Sequence, residues 1–511
     1  MLTGTIAGSY FALRYAGGWS DSDTGSLSAT IASVADEGTL LTSGGAYSMG
    51  FAYQSLSVFI ISLTGLHVTQ LQFQVYPLIA GMVIVLAFAM YRALTGSAVA
   101  GALATLLLLL QPDFLFVVFR GSHEKVTWLG AMLATYLLAR SFRAVRQPGR
   151  LASYVGLFYL AAFTLIASNA FFGSSFIVAA FVGLAAGLFL GYLSERRPPP
   201  GAAGLPVGRL TYVVASALVL WYLMVFYLYP AATRFLYDLR TTVDRAGAVT
   251  AGLEQRFDVA SSVGQGWVSR TAYLGVTSPT WVLAVVSFLV WVALALRMLR
   301  RRRLLEAPPQ LLLWLLYGGF GMQLAVGLFL ARFGGAVANL QVRLFPAVML
   351  MACALVAVAI HAGWRRWTTR FKRSLLTIVL LAFALWAGIA APLKMTNEAS
   401  ISTLWNFWTP FEEHAVWWAD DHATQASIWL GPSPIRIAGR ARAAEFGGRT
   451  GNDVDSTVVE PQTRDLVISD AERELARRIA VPLPDVRHEN RVYDNGGTQM
   501  YHKRARTPFQ Y

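Results

Sequence analysis

The apolar residues of this chain arrive in blocks, and the length of those blocks restricts the fold more than any other feature. Stretches such as 175–193, 280–299, 344–362 and 375–392 run for about 17–21 residues almost without a charged group. A helix rising 1.5 Å per residue needs about that many residues to cross ~30 Å of hydrocarbon. Inside a bilayer every backbone amide must find its partner within the protein, and for single blocks of this length the helix is the structure that provides it. Composition agrees. Of 511 residues 55% are hydrophobic and only 14% charged, and the mean hydropathy is +0.49, which leaves too little charge to cover the surface of a water-soluble protein this long.

The blocks predict spans at 73–92, 97–116, 125–141, 151–167, 175–193, 210–229, 280–299, 310–330, 344–362 and 375–392, with a shorter first span at Met1–Tyr15 that carries Arg14. Met1–Tyr15 has neither the basic start nor the small-residue cleavage site of a removable leader. Residues 53–66 are apolar but too few to cross, which predicts an interfacial or re-entrant segment. The expectation is therefore a polytopic α-helical membrane protein of about eleven transmembrane helices.

Orientation follows from basic residues on alternate connections. One set holds 18 of them: Arg92, Arg140, Arg143, Arg146, Arg150, Arg196, Arg197, Arg209, Arg297, Arg300 to Arg303, Arg365, Arg366, Arg370, Lys372 and Arg373. The other connections hold far fewer, and in 230–279 five arginines are offset by four acids. Basic loops stay in the cytoplasm. That puts the N-terminus inside and the tail outside, in a plasma membrane. The net charge of +14 is thus an orientation signal, not a nucleic-acid footprint. From Pro392 onward 14 Lys and Arg face 16 Asp and Glu, while residues 1–391 carry 28 against 12. Cys353, the single cysteine, lies in an apolar block and excludes an intrachain disulfide.

Two domains are expected: a transmembrane unit over 1–392 and a small extracytoplasmic α+β unit over 393–511. Outside the membrane lie a first loop (16–72), a short second loop (117–125), a loop at 230–279 and the tail. In the tail, Ser469 and Glu472 are spaced as a capping box before a helix at 471–480. The run RVYDNGGTQMYH centres Asn-Gly between Val492-Tyr493 and Met500-Tyr501, a hairpin pattern.

The spans are nearly free of ionisable groups, unlike those of ion-coupled transporters, which keep carboxylates or histidines at mid-membrane depth. The acids gather instead at the outer boundary: Asp21, Asp23, Asp36 and Glu37 in the first loop, Asp113 and Glu124 around the second, beside Arg120, His123 and Lys125. Taken singly, each is an ordinary solvated carboxylate. As a group at the rim of apolar helices they suit a substrate whose polyprenyl tail dissolves in lipid while its phosphate rests at the interface. A cation there stabilises the departing phosphate, and a carboxylate across the sugar takes the acceptor's proton. Arg332 and Arg343 stand at headgroup depth, where a snorkelling arginine bound to ordinary lipid is the plain alternative.

Over roughly residues 1–145 the sequence resembles the GT-C glycosyltransferases. The resemblance rests on a first helix followed by SDTGSLSATIASVADEG, then GGAYSMGFAYQSLSVFIISLTG, VYPLIAGMVIVLAFAMYRALTGS and LATLLLLLQPDFLFVVFRGSHEKVTWLGAMLATYLLARS. It implies transfer of a sugar from a polyprenyl-phosphate-linked donor to a glycan, lipid or protein acceptor on the outer face. It places the early acid at Asp23, about fifteen residues before Gly38, with Asp21 as rival. The second-loop acid falls on Glu124, and the donor-phosphate arginine on Arg343, assisted by Arg332 or Arg120. Two branches differ. Oligosaccharyltransferase catalytic subunits carry paired acids in the second loop that hold a divalent metal, and a Trp-Trp-Asp-Tyr-Gly motif outside. Here the second loop reads Gly-Ser-His-Glu and the tail Trp417-Trp418-Ala419-Asp420-Asp421, so His123 and Glu124 would form only half a site for Mg or Mn. The protein-mannosyltransferase and aminoarabinose-transferase branch needs no such metal. The tail aromatics Trp405, Phe407, Trp408, Trp417 and Trp418 suit either sugar stacking or the interfacial aromatic belt. A lipid-linked glycan flippase, and a glycan polymerase or ligase, are the competing readings.

Overall fold

The computed structural model describes residues 22–39, 52–119, 123–144, 147–194, 210–219, 270–301, 308–330, 340–367, 369–396, 409–422, 429–430, 465–470, 473–474, 477, 483 and 485–502. The expected first span Met1–Tyr15, most of the loop 230–279 and the capping residue Glu472 lie outside these. So do Asp21, Arg120 and Arg332.

The polar first loop is largely helical. Helix α1 (Ser22–Glu37) ends at Gly38, whose φ of 64° lets the chain turn in the left-handed region. Helix α2 (Ala52–Thr64) follows, and its 13 residues reach only about 20 Å. It is too short to cross, as expected of 53–66. The next block is not one straight span over 73–92. Helix α3 (Val68–Gln70) passes through a π-helical turn (Leu71–Val75) into α4 (Tyr76–Ala80), breaks at Gly81 and resumes as α5 (Met82–Thr95).

The expected span 97–116 is likewise broken. Helix α6 (Ala98–Leu109) and helix α7 (Pro112–Phe119) meet at a bend of 78°. Pro112 has no N–H to continue the ladder and disfavours helical geometry in the residue before it. Gln111 covers the break by donating its side-chain amide to the Leu107 carbonyl at 3.2 Å.

Beyond the bend come α8 (Glu124–Ala144), α9 (Pro148–Ser168), α10 (Ala170–Ser194), α11 (Leu210–Val219), α12 (Arg270–Arg301), α13 (Pro308–Leu330), α14 (Leu340–Arg366) and α15 (Arg370–Thr396). Among the described residues, six stretches are long and apolar enough to cross a membrane, within α9, α10 and α12 to α15; the bent pair α6–α7 would make a seventh. The protein is therefore a multi-pass helical membrane protein. Helix α15 continues through Pro392 to Thr396, past the expected domain boundary.

Helices α4 to α15 all contribute buried residues to one apolar core. Its closest approach is between α10 and α13, where a Cβ on Gly319 would lie 2.0 Å from the Ala179 carbonyl oxygen and one on Gly183 2.3 Å from that of Leu315. Lipid offers no hydrophobic drive for helices to associate, so small residues that admit backbone contact supply van der Waals attraction instead. A second, smaller core joins Leu27 and Ile31 of α1 to Tyr53, Val68, Leu71 and Tyr76, with Val126 of α8 against it.

The described tail is α+β. Helix α16 (Pro410–His422) packs on a sheet of β1 (Trp429–Leu430), β2 (Asp465–Ser469), β3 (Asn490–Asp494) and β4 (Thr498–His502), in the order β1-β2-β4-β3. The expected hairpin is present: β3 and β4 are antiparallel with Tyr493 opposite Met500, and Gly496 at the turn has φ 93°. Ser469 closes strand β2 and directly precedes helical residues that begin at Asp470, while its expected capping partner Glu472 lies outside the described residues. The observed capping box is Thr409 with Glu412 at the start of α16. There the Thr409 N–H donates to Glu412 Oε2 at 2.7 Å and the Glu412 N–H donates to Thr409 Oγ1 at 3.4 Å.

Candidate functional site

Both expected acidic loops come together at one end of the helix bundle, and the start of α8 joins them. His123 caps that helix, its carbonyl accepting from the N–H groups of Val126 (3.1 Å) and Thr127 (3.2 Å). Its ring is buried, and Nε2 lies 2.7 Å from the side-chain amide nitrogen of Asn169, at the joint between α9 and α10. Asn169 Oδ1 already accepts from the Phe172 N–H at 2.9 Å. The amide nitrogen therefore donates to His123 Nε2, which places the proton of a neutral ring on Nδ1. Nδ1 faces Glu124 Oε2 at 3.9 Å, and Glu124 is partly open to solvent.

The next residue, Lys125, is only 3% exposed. Its ammonium lies 5.7 Å from the ring centre of Tyr53 and 4.9 Å from that of Tyr76. A buried cation is costly unless its surroundings replace water, and two ring faces do part of this, at roughly 2 kcal/mol for a desolvated contact. The rings are held by hydrogen bonds of their own: the Tyr53 hydroxyl donates to Gln72 Oε1, and the Tyr76 hydroxyl lies 2.7 Å from Ser57 Oγ. Tyr53 also meets the His123 ring edge-on, with centroids 6.5 Å apart. Tyr53 of the first loop and Tyr76 beyond it thus pack against His123 and Lys125 on either side of Glu124.

Asp23 sits in the first turn of α1, and Gly38 at the other end of that 16-residue helix. Arg343 lies in the first turn of α14, one residue before buried Leu344. Asp113, expected among the rim acids, is engaged elsewhere: Lys394 near the end of α15 donates to both its oxygens, at 2.8 and 3.0 Å.

Among the described residues no three His, Cys, Asp or Glu side chains gather as a metal-ligand set. His123 Nε2 is occupied by Asn169, and buried Lys125 adds a positive charge beside Glu124. Among the described residues His123 and Glu124 thus remain the half set of ligands that the sequence offers. Nor does Trp418 stand out as a sugar platform: it stacks on His422 at 4.8 Å and packs on Tyr493 at 5.1 Å inside the tail unit, while Trp417, stacked on His414, is exposed. Trp405, Phe407 and Trp408 lie outside the described residues.

No family model matches the sequence, and no curated protein does. Solved structures do. The apo oligosaccharyltransferase of Archaeoglobus fulgidus aligns over 92% of this chain and 69% of its own, at 12% identity and a TM-score of 0.53. The same enzyme tethered to an acceptor peptide with an NVT sequon aligns over 99% and 73%, at 11% identity and a TM-score of 0.53. The chain shares the fold of these oligosaccharyltransferase structures. ArnT of Cupriavidus metallidurans bound to undecaprenyl phosphate aligns over 100% of this chain and 99% of its own, at 12% identity and a TM-score of 0.46.

Several residues of this site escape sequence reasoning. Asn169 is a lone amide at a helix joint, and Lys394 follows a proline at the end of a span. Tyr53 and Ser57, like Gln72 and Tyr76, are spaced four apart, which puts each pair on one helix face. That spacing is the signal that could have linked the two segments.

Proposed function

We propose that the protein is a membrane glycosyltransferase that moves a sugar from a polyprenyl-phosphate-linked donor to an acceptor at the outer face of the membrane. The observation that carries the reading is the meeting of the two acid-bearing loops at one end of a GT-C bundle, through Tyr53, His123 and Lys125. The fold is shared with an oligosaccharyltransferase from Archaeoglobus fulgidus that has been solved in complex with an inhibitory peptide and a dolichol-phosphate, at a TM-score of 0.50. That relative supports a lipid-phosphate donor here.

In this reading Asp23, with Asp21 as rival, accepts the proton of the acceptor hydroxyl or amide as its heteroatom bonds to C1 of the sugar. The C1–O bond to phosphate breaks on the opposite face, and its electron pair leaves on the phosphate oxygen. Configuration at C1 inverts. Arg343, with Arg332 or Arg120, stabilises that oxygen through charge-assisted hydrogen bonds. Glu124, held between the packed His123 and Lys125, orients the acceptor. No step requires a metal. Sugars and acceptors of several kinds fit this scheme equally.

The test compares cell-envelope glycans and lipid-linked sugars by mass spectrometry with and without the protein, and then with Asp23→Asn. A sugar missing from the envelope with its lipid-linked donor accumulated is expected without the protein. Asp23→Asn should lower transfer by about 10²–10⁴-fold while donor binding persists. Full transfer by Asp23→Asn and by Asp21→Asn would remove the general-base assignment, and unchanged envelope and lipid-linked sugars would remove the glycosyltransferase reading itself.

A further inference from the structure

The opposite end of the bundle has a different chemistry. Segments 92–98, 139–150, 308–311 and 358–373 contain ten Lys and Arg and no Asp or Glu. Between the α5–α6 turn, the start of α13 and the end of α14 lies a cavity of about 330 Å³, walled by Thr95, Ser97, Gln310, His361, Arg365 and Arg366. That volume is at the lower end of the range for small-ligand pockets, roughly 300–1,000 Å³.

The wall is built, not incidental. Gly96, at φ 73°, turns the chain out of α5. Thr95 Oγ1 donates to the carbonyls of Tyr91 (2.8 Å) and Ser97 (3.1 Å), and Ser97 Oγ accepts from the Ala100 N–H at 3.3 Å. Neighbouring arginines are engaged: Arg140 donates to the Tyr154 hydroxyl at 2.9 Å, Arg143 to the Ala93 carbonyl at 2.6 Å and Arg373 to the Trp367 carbonyl at 2.7 Å. Arg365 and Arg366 are exposed, and among the described residues they make no hydrogen bond or ion pair. Around them stand the exposed aromatics Trp364, Trp367 and Phe371, the residue types that gather at a membrane–water boundary.

Two guanidinium groups and an imidazole, in a cavity whose described lining holds no carboxylate, select a polyvalent anion, and the aromatic collar sets the pocket at headgroup depth. We propose that this cavity binds the phosphate of an anionic membrane lipid at the end of the bundle remote from the transfer site. The proposal is independent of the transfer reaction.

Native mass spectrometry of the full chain in detergent, with added phosphatidylglycerol or phosphatidylcholine, tests it. The expected result is preferential retention of phosphatidylglycerol. Arg365→Gln and Arg366→Gln should each lower that preference roughly fivefold, and together roughly 25-fold, whereas Arg150→Gln, outside the cavity, should not. Displacement of the lipid by inorganic phosphate assigns the affinity to the phosphate group; resistance to it assigns the affinity to headgroup and chains together. If the double variant does not fold, the single variants are decisive. Equal retention of the two lipids, or a preference that neither arginine variant changes, overturns the proposal.

Discussion

Removing one member of the Asp113–Lys394 pair should cost more than removing both, and the size of the difference follows from how the pair is placed. The ammonium lies 2.8 Å from one carboxylate oxygen, with Lys394 18% and Asp113 37% exposed at the side chain. At an effective dielectric constant near 20 the attraction at that distance is about 6 kcal/mol before desolvation. Water reaches Asp113 and takes back much of it, so the pair falls between exposed pairs, at about 0.2–1 kcal/mol, and buried ones, where losing one partner costs about 3–5 kcal/mol. Asp113→Asn should therefore destabilise by about 2–3 kcal/mol, because it strands a largely covered ammonium. The double variant Asp113→Asn/Lys394→Met should lose only about 1 kcal/mol. Denaturant unfolding of the purified full chain in detergent, read as a double-mutant cycle, measures the coupling directly. The pair ties the bend at Pro112 to the end of α15, a structural task, so transfer by Asp113→Asn should persist in protein that remains folded. A coupling energy near zero would refute the energetic argument. Loss of transfer at unchanged stability would refute the structural assignment and return Asp113 to the candidate acids.

Gly319→Ala should destabilise by about 2–3 kcal/mol, since α10 and α13 must separate by more than 1 Å to bring a Cβ from 2.0 Å to an ordinary distance from the Ala179 oxygen. Gly363→Ala, which meets nothing within 4 Å, is the control, and equal melting temperatures for the two would contradict the packing argument. Burial pushes the Glu412 carboxyl above its ordinary range, against opposing hydrogen bonds from Thr409 and Ser469. A raised folded-state value means that Glu412 contributes stability below its unfolded pKa, near 4.3, and that this is lost as pH rises through the folded value. Tail unfolding, followed by the fluorescence of Trp417 and Trp418, should show that loss with rising pH in the native chain and much less of it in Glu412→Gln, which keeps a capping side chain; identical pH profiles would contradict it.

The membrane architecture was legible because a bilayer imposes one length on every crossing segment and charge biases the connections. The blocks at 151–167, 175–193, 310–330 and 344–362 recur as helices close to their expected bounds. Hydropathy reads amount, not direction, so it passed over the bend at Gln111–Pro112, where apolar sequence continues but the helix axis does not, and over the π-turn at Leu71–Val75, where the hydrogen-bond register changes. Proline within an apolar block was a usable warning in one case and not in another: Pro112 ends a helix, whereas α15 runs through Pro392. The local break at Gln111 is covered by its own side-chain amide, a compensation that becomes visible only with coordinates.

The site was legible to a smaller extent, for a reason that concerns charge. Sequence reasoning ranked residues by their capacity to react, which selects Asp23, Glu124 and Arg343, and it treated Lys125 as one more basic residue on an outer connection. A lysine at the start of a helix belongs in solvent unless distant residues replace its hydration, and Tyr53 and Tyr76 do so from segments that no local pattern ties to α8. Once Lys125 is buried, its neighbours are constrained as well. His123 is turned to Asn169, and Glu124 is left between a packed imidazole and a packed ammonium. A carboxylate in that position gains its orientation from groups with no reactivity of their own. The part of the site hardest to read from sequence is therefore the part that fixes where Glu124 points.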